Sequence, residues 1–431
     1  MDINNAVLIN IDAHDDLRWI SPEKLEDLQK IFERRGWQAL QEADSPGDKG
    51  LYHIGSFIYA AYHLGIVSEI YWIIPFTHFQ SPDAVTELNN FLDDYGFQEQ
   101  DIKNFAMNEG CFKGLHYGIP LTICDIHNLP HIPDTAVLSI DADFLPSFAD
   151  WNNLDILSSL SVLFKALAEK EYAVQDAVVS TSVDGGYLNI TRRWAAVQCL
   201  DFLAGPENMH SAYPEAWLVR NLADIYYQNG LTEALLELTN RYRTRRDSDS
   251  SLTIYRSFAL LASGDEQEAF ASASSLARTD KRYAYVLADL GQCLLDKGDL
   301  DKAIKYFETA YHIHPEMNYR QKNLADGLLM ADRLDQALRY YEQFQQTNGS
   351  FPTQFVMGYI WLRLGEEYKA EKCFEAGLSG LQSEKYATVE NQIDILAVRE
   401  AASFFSAKNL VEKAKLIVSH PGLKHLFNNQ E

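Results

Sequence analysis

Over the first 205 residues, short uninterrupted runs of Val, Ile and Leu alternate with longer amphipathic stretches. The runs at 6–11, 70–75, 136–140 and 177–180 are continuous and partly β-branched, which predicts strands buried on both faces of a parallel sheet. Between them, the spacing at 22–35, 57–64, 83–92 and 154–168 predicts helices, with Ser21 and Ser81 as N-caps ahead of prolines. Strand and helix in alternation predict an α/β domain built on one open sheet covered on both sides.

From about residue 214 the strand pattern stops and a repeat replaces it. Leu287, Leu290, Gly291, Leu294, Gly298, Ala303, Phe307, Ala310 and Pro315 follow the spacing of a tetratricopeptide helix-turn-helix unit. A step of 34 brings Leu324, Ala325, Leu328, Ala337 and Tyr341 onto the same template, and a further 33 brings Met357, Gly358, Trp361, Gly365, Ala370 and Phe374. Weaker copies surround Gly264 with Ala269, Asn409 with Ala414, and the stretch from Trp217 to Leu238. Five or six helix pairs are expected. The Gly, Pro, Asn and Ser around 205–213 mark the boundary, giving an α/β domain over 1–207 and an all-α solenoid over 208–425.

A chain of 431 residues with 47% hydrophobic and 23% charged positions fits such a two-domain globular protein. Its 37 Lys+Arg against 61 Asp+Glu give a net charge of -24, which repels nucleic acid and anionic lipid. The acidity is concentrated: residues 1–210 hold 12 basic and 31 acidic side chains, residues 211–431 hold 25 and 30. Five scattered cysteines without CxxC spacing suggest neither a disulfide framework nor a zinc knuckle, and point to a reducing cytoplasm. The acidic start lacks the features of a secretion signal, and the most apolar stretch, 57–76, is interrupted by His63, Ser68 and Glu69, so a soluble protein without a membrane span is expected.

The first strand runs directly into Asp12-Ala13-His14-Asp15-Asp16, and the run at 136–140 ends in Asp141-Ala142-Asp143. In an α/β sheet these are the carboxyl ends that open onto the site crevice. A single Asp in such a place is most simply a cap or a turn residue. Four carboxylates and an imidazole brought together instead repel one another unless cations neutralise them. Hard oxygen ligands with imidazole favour Mn²⁺ or a similar divalent ion, and bridging carboxylates can hold two ions about 3.5–4 Å apart. The chain has no GxGxxG after a strand, P-loop, GxSxG elbow or HExxH.

These two runs resemble, in their usual chain order, the metal signatures of the arginase, agmatinase and deacetylase fold. The surrounding Trp72-Ile73-Ile74-Pro75 and Asp141-Ala142-Asp143-Phe144-Leu145 are similar to a branch that includes peptide arginases, which convert arginine side chains of ribosomally made precursor peptides to ornithine and urea. The resemblance covers roughly residues 1–200. It implies an arginase-like open parallel sheet, Asp12, His14, Asp16, Asp141 and Asp143 as Mn²⁺ ligands, and an arginine-containing precursor peptide as partner. The repeats offer a surface that can hold such a peptide or join copies of the chain into a homo-oligomer. It also implies that Asp184, beside Gly185 and Gly186 at a third strand end, receives the guanidinium, whose paired donors one carboxylate accepts bidentately. The sequence departs from the family in one respect: no histidine precedes the first motif to serve as a further ligand. His53 or His78 is the substitute or proton shuttle; alternatively one zinc suffices, as in the deacetylases. The rival readings are an arginase-fold hydrolase acting on free agmatine, free arginine or an acylated amine, and a scaffold whose repeats bind a partner.

Overall fold

The first apolar run forms β1 (Ala6–Ile11), and all six of its residues are buried. The structure, a computed structural model, describes residues 5–43, 50–77, 79, 81–132, 135–183, 187–205, 213–243, 249–316, 318–348, 350–383, 389 and 391–427. Two compact units divide the chain between Ala273 and Ser274.

In the first unit β1 lies between two parallel neighbours, β2 (Val67–Ile74) and β6 (Ala136–Asp141), with Leu8 opposite Ile70 on one side and Val137 on the other. Between β2 and β6 in sequence come β3 (Ala106–Asn108), β4 (Cys111–His116) and β5 (Ile119–Asp125), and β7 (Val174–Ser180) follows β6. The seven strands take the order β3-β4-β5-β2-β1-β6-β7. Period-two alternation sends Val7, Ile9, Ile11, Tyr71 and Ile73 into one core and Leu8, Ile70, Trp72 and Ile74 into the other. Helices α1 (Pro22–Arg35), α2 (Trp37–Ala43), α3 (Phe57–His63), α4 (Ala84–Asp94) and α5 (Glu99–Ile102) precede β3, and α1, α3 and α4 pack into the Trp72 core. The opposite core takes α6 (Phe144–Asn152), α7 (Ile156–Lys170) and α8 (Trp194–Ala204).

Four expectations are corrected here. The sheet is mixed rather than parallel throughout, because β3, β4 and β5 form two antiparallel hairpins. Each hairpin has a two-residue loop, Glu109-Gly110 and Tyr117-Gly118, with all four φ angles positive, the backbone that a twisted hairpin needs. Within the second hairpin Cys111 and Cys124 are joined by a disulfide with Cα atoms 4.9 Å apart, a pairing that their wide separation in sequence concealed. The run at 177–180 belongs to β7, which ends the sheet and has no fully buried residue. The caps also differ: Ser21 accepts a hydrogen bond from Lys24 N–H as predicted, whereas the cap of α4 is Asp83, two residues beyond Ser81, whose hydroxyl holds Asp83 N–H and Glu87.

The helical repeats begin inside the first unit with α9 (Glu215–Gln228), α10 (Thr232–Arg243) and α11 (Ser250–Ser263), and α12 (Glu266–Thr279) crosses the division. Residues 206–212, most of the expected boundary, lie outside the described residues. The compact division falls at 273/274 rather than 207/208 because Trp217, Ala223, Leu235, Leu252 and Tyr255 share the core of Trp194 and Phe202. Polar contacts reinforce the junction: Trp194 Nε1 donates to Tyr255 Oη at 2.9 Å, and Tyr255 donates to Asp224 at 3.0 Å.

The second unit contains α13 (Ala284–Asp296), α14 (Leu300–Ile313), α15 (Asn318–Met330), α16 (Leu334–Asn348), α17 (Phe351–Arg363), α18 (Glu367–Ser383), α19 (Gln392–Ala407) and α20 (Val411–Val418). With α9–α12 these make six helix pairs among the described residues. The turn inside each pair carries one left-handed residue: Gly230, Gly264, Gly298, Asp332, Gly365 and Asn409. Close approach explains the small residues of the repeat, since a Cβ on Gly291 would lie 2.9 Å from the Phe307 ring, and one on Gly358 would clash with the ring of Phe374. Ala303, Phe307, Ala337, Tyr341, Ala370 and Phe374 are all buried, as their template positions require. No helix among the described residues is long and apolar enough to cross a membrane.

Candidate metal centre

Strand order in the first unit changes direction at β1. From β1 the chain adds β2 on one side, passes to β3 at the far edge and comes back through β4 to β5 beside β2, and then adds β6 and β7 on the other side of β1. The connections leaving β1 and β6 therefore diverge, which opens a crevice at the carboxyl ends of those two strands. Ile11 pairs with Ile140, so Asp12 and Asp141 follow at the next step of adjacent strands.

Ligand atoms of Asp12, His14 and Asp143 all lie within 4.8 Å of one another. The Nδ1 atom of His14 is 3.0 Å from Asp143 Oδ2 and 3.7 Å from Asp12 Oδ1. The Asp12 carboxylate is fixed by the His14 backbone N–H at 2.8 Å and the Asn10 side-chain amide at 3.4 Å. Its backbone is fixed too: Trp72 Nε1 donates to the Asp12 carbonyl at 3.0 Å, and the Tyr95 hydroxyl to the Ala13 carbonyl at 2.7 Å. Both Asp143 oxygens are buried, and neither accepts a well-aligned hydrogen bond among the described residues. Buried carboxylate oxygens are costly to leave in that condition, so the donor set fits a divalent cation bound between Asp12, His14 and Asp143.

Asp141 and Asp16 border this group. Asp141 accepts hydrogen bonds from the Ser182 hydroxyl and the Asp143 N–H, while burial and then the Asp143 charge push its carboxyl up to about 6. Asp16 occupies the left-handed region at φ 51°, and burial followed by the charges of Asp12, Asp15 and Asp141 pushes it up to about 9. Burial also raises Asp12 and Asp143. Burial opposes the charged form of His14, but Asp12 and Asp143 outweigh it and push the imidazole up to about 10. Burial is the main cause of each carboxylate shift, and the charges of neighbouring carboxylates add to it, a repulsion that a cation would relieve.

The other expected site residues fare differently. His53 lies in a turn of its own, its Nδ1 accepting from Gly55 N–H at 3.1 Å and its N–H donating to Ser56, and it is not part of the three-ligand group. His78 and Asp184, with Gly185 and Gly186, lie outside the described residues. Besides Ser182, two side chains went unforeseen. The Tyr187 ring rests against His14, with centroids 4.4 Å apart. Behind the cluster, buried His116 stacks on Phe97 at 3.7 Å, with Nδ1 3.3 Å from Asp101 and Nε2 3.8 Å from Asp15. Burial drives His116 down to about 4, so it is neutral at pH 7. Recognising the Tyr117-Gly118 turn would have placed His116 at the end of a strand.

Comparison with known proteins bears on the repeats. A family model described as tetratricopeptide repeat matches residues 260–325. No curated protein matches the chain. Among solved structures it is similar to residues 41 to the end of MamA from Desulfovibrio magneticus RS-1, at 15% identity and a TM-score of 0.32, covering 40% of this chain and 99% of that one. It is also similar to YrrB, described as a TPR protein with an unusual peptide-binding site, at 16% identity and a TM-score of 0.32, covering 44% and 93%. A third is pilF of Pseudomonas aeruginosa, at 18% identity and a TM-score of 0.32, covering 48% and 90%. The family match and the recurring turn and packing positions together identify tetratricopeptide repeats in the helical part of this chain.

Proposed function

We propose that the first unit is a divalent-metal hydrolase that converts arginine side chains of a polypeptide to ornithine with release of urea, while the repeats bind a segment of that polypeptide or a second copy of the chain. The observation that carries this reading is the meeting of two acidic strand ends at the β1/β6 crevice, with both Asp143 oxygens buried and, among the described residues, only the His14 imidazole facing one of them at 3.0 Å. Asp12, His14 and Asp143 are the residues that would hold the ion. Mn²⁺ bound there supplies Lewis acidity and a nucleophilic water near neutral pH. Asn10, Trp72 and Tyr95 hold the Asp12 and Ala13 segment in place, so the donors need no rearrangement during turnover. Asp141, whose carboxyl lies at about 6, adds negative charge at the border of the cluster near neutral pH, which favours a guanidinium over a neutral side chain. A precursor peptide as substrate, Asp184 as its guanidinium acceptor and a histidine as proton shuttle remain parts of the proposal. So does a cytoplasmic setting, against which the Cys111–Cys124 bond stands, since thiols there are kept reduced.

A second reading has its own support. The described group contains three ligands, one imidazole and two carboxylates, which suits a single ion. One zinc acting on an acylated amine is then the alternative to manganese acting on arginine.

Incubating the full chain and Mn²⁺ with arginine-containing peptides is expected to lower peptide mass by about 42 Da per arginine and to release one urea for each. Deacylation of acyl-lysine peptides with Zn²⁺ and no loss from arginine would establish the second reading. Neither product with either metal would leave the chain a scaffold.

A further inference from the structure

The sequence led us to expect the 177–180 run to be buried on both faces, yet in the structure it is the exposed end of the sheet. No strand lies beyond β7 among the described residues, and Val174 and Val178 are 43% and 58% exposed. Apolar, exposed edge strands are the places where another chain adds by main-chain hydrogen bonding, and natural proteins usually blunt them.

The orientation of β7 can be followed residue by residue. The Ser180 carbonyl accepts from Ala142 N–H beside β6, so alternate residues Ala177 and Val179 turn their backbone groups to the open edge. The side chains of Ala177 and Val179 pack into the core of α7 and α8, which leaves Val178 on the other face. On that face Val178 lies opposite Ser139, and Ser180 lies opposite Asp141. The row therefore leads from an exposed valine to a carboxylate at the border of the candidate metal centre, and Ser182 continues it with its hydroxyl on Asp141. One carboxylate blunts the edge: Asp176 accepts the Ala177 N–H at 2.9 Å and so places a negative charge beside the open backbone.

We infer that the β7 edge is the docking ledge for an extended, arginine-bearing segment of the substrate polypeptide, which adds there as an eighth strand. The inference rests on the hydrolase reading above. A cationic occupant is favoured by Asp176 and by the 31 acidic against 12 basic side chains of residues 1–210. The ledge is also continuous with the cluster. A strand added beyond β7 lies about 10 Å from β6, two strand spacings away, so the docked segment bends across Ser182 to deliver its arginine.

The test uses the full chain loaded with Mn²⁺ and a fluorescein-labelled nonapeptide of alternating threonine and valine with one central arginine. Backbone N-methyl groups are introduced one position at a time. Strand addition predicts an affinity loss of about tenfold at every second position on one side of the arginine, and little change at the positions between. Val178→Lys is expected to weaken the unmethylated peptide by a similar factor while leaving Mn²⁺ affinity unchanged. A scan without alternation, or no binding of the peptide, overturns the inference. So does a Val178→Lys variant that binds peptide normally but sediments as a monomer where the parent is a dimer, since a second copy then occupies the edge. Urea release from the unmethylated peptide is measured alongside: alternation without urea rejects the hydrolase reading and leaves the docking ledge, whereas urea without alternation does the reverse.

Discussion

Asp143→Asn is expected to abolish divalent-ion uptake by the first unit without lowering its thermal stability in the absence of metal. The two effects have opposite signs for a physical reason. Asp143 is buried, its oxygens lack well-aligned hydrogen bonds among the described residues, and its carboxyl is raised by burial and by Asp12, so the charge costs stability in the ion-free protein. The amide removes that cost, although it weakens the 3.0 Å contact with His14. It also removes an anionic donor from a group of three, which should weaken Mn²⁺ binding by more than the roughly 100-fold that loss of an outer partner costs. Calorimetric titration with Mn²⁺ and a melting curve taken with a chelator check both halves. Unchanged Mn²⁺ affinity together with a lowered melting temperature would make Asp143 an ordinary structural acid.

The second large effect is expected from Trp72→Ala. Trp72 is completely buried and packs against Phe91, Tyr95 and Phe97, with ring centroids 5.7, 5.6 and 6.4 Å away. Removing so large a side chain from a close-packed interior costs about 3–5 kcal/mol. Hydrogen exchange of the β1 and β2 amides is the local measurement, because a chain of two compact units has no single unfolding free energy. Trp72→Phe separates packing from positioning. It keeps most of the ring and loses the hydrogen bond to the Asp12 carbonyl, worth about 1 kcal/mol of stability. Because that bond anchors the first strand end, Mn²⁺ affinity should fall in both variants. Equal affinity in parent, Trp72→Phe and Trp72→Ala would mean that the Asp12 segment is held without it.

The sequence was most informative where a single periodicity governs an element. β1 is buried along its whole length and reads as an unbroken apolar run, and the three central repeats obey a spacing fixed by Gly291 against Phe307 and Gly358 against Phe374. The strands β3 to β5 escaped because their runs are short and divided by the Glu109-Gly110 and Tyr117-Gly118 turns, whose importance depends on left-handed backbone rather than on hydrophobicity. β7 was recognised as a strand but misjudged as buried, since an apolar run does not tell a central strand from an exposed edge. In the candidate site, the run from Asp12 to Asp16 and the pair Asp141 and Asp143 were visible because each follows a buried strand. His116, Tyr187 and Ser182 were not, because they reach the same region from the β4 end and from the segment after β7, distances that only the folded chain closes. The compact division at 273/274 was not legible for a related reason: Trp217 and Tyr255 keep the helical spacing of the repeats while packing with Trp194 and Phe202.

Crystals of the full chain grown with Mn²⁺, with diffraction recorded on both sides of the manganese absorption edge, test the central idea most directly. The expected result is an anomalous peak lying between the carboxylates of Asp12 and Asp143 and the imidazole of His14. Manganese bound only elsewhere, or not at all, would contradict it.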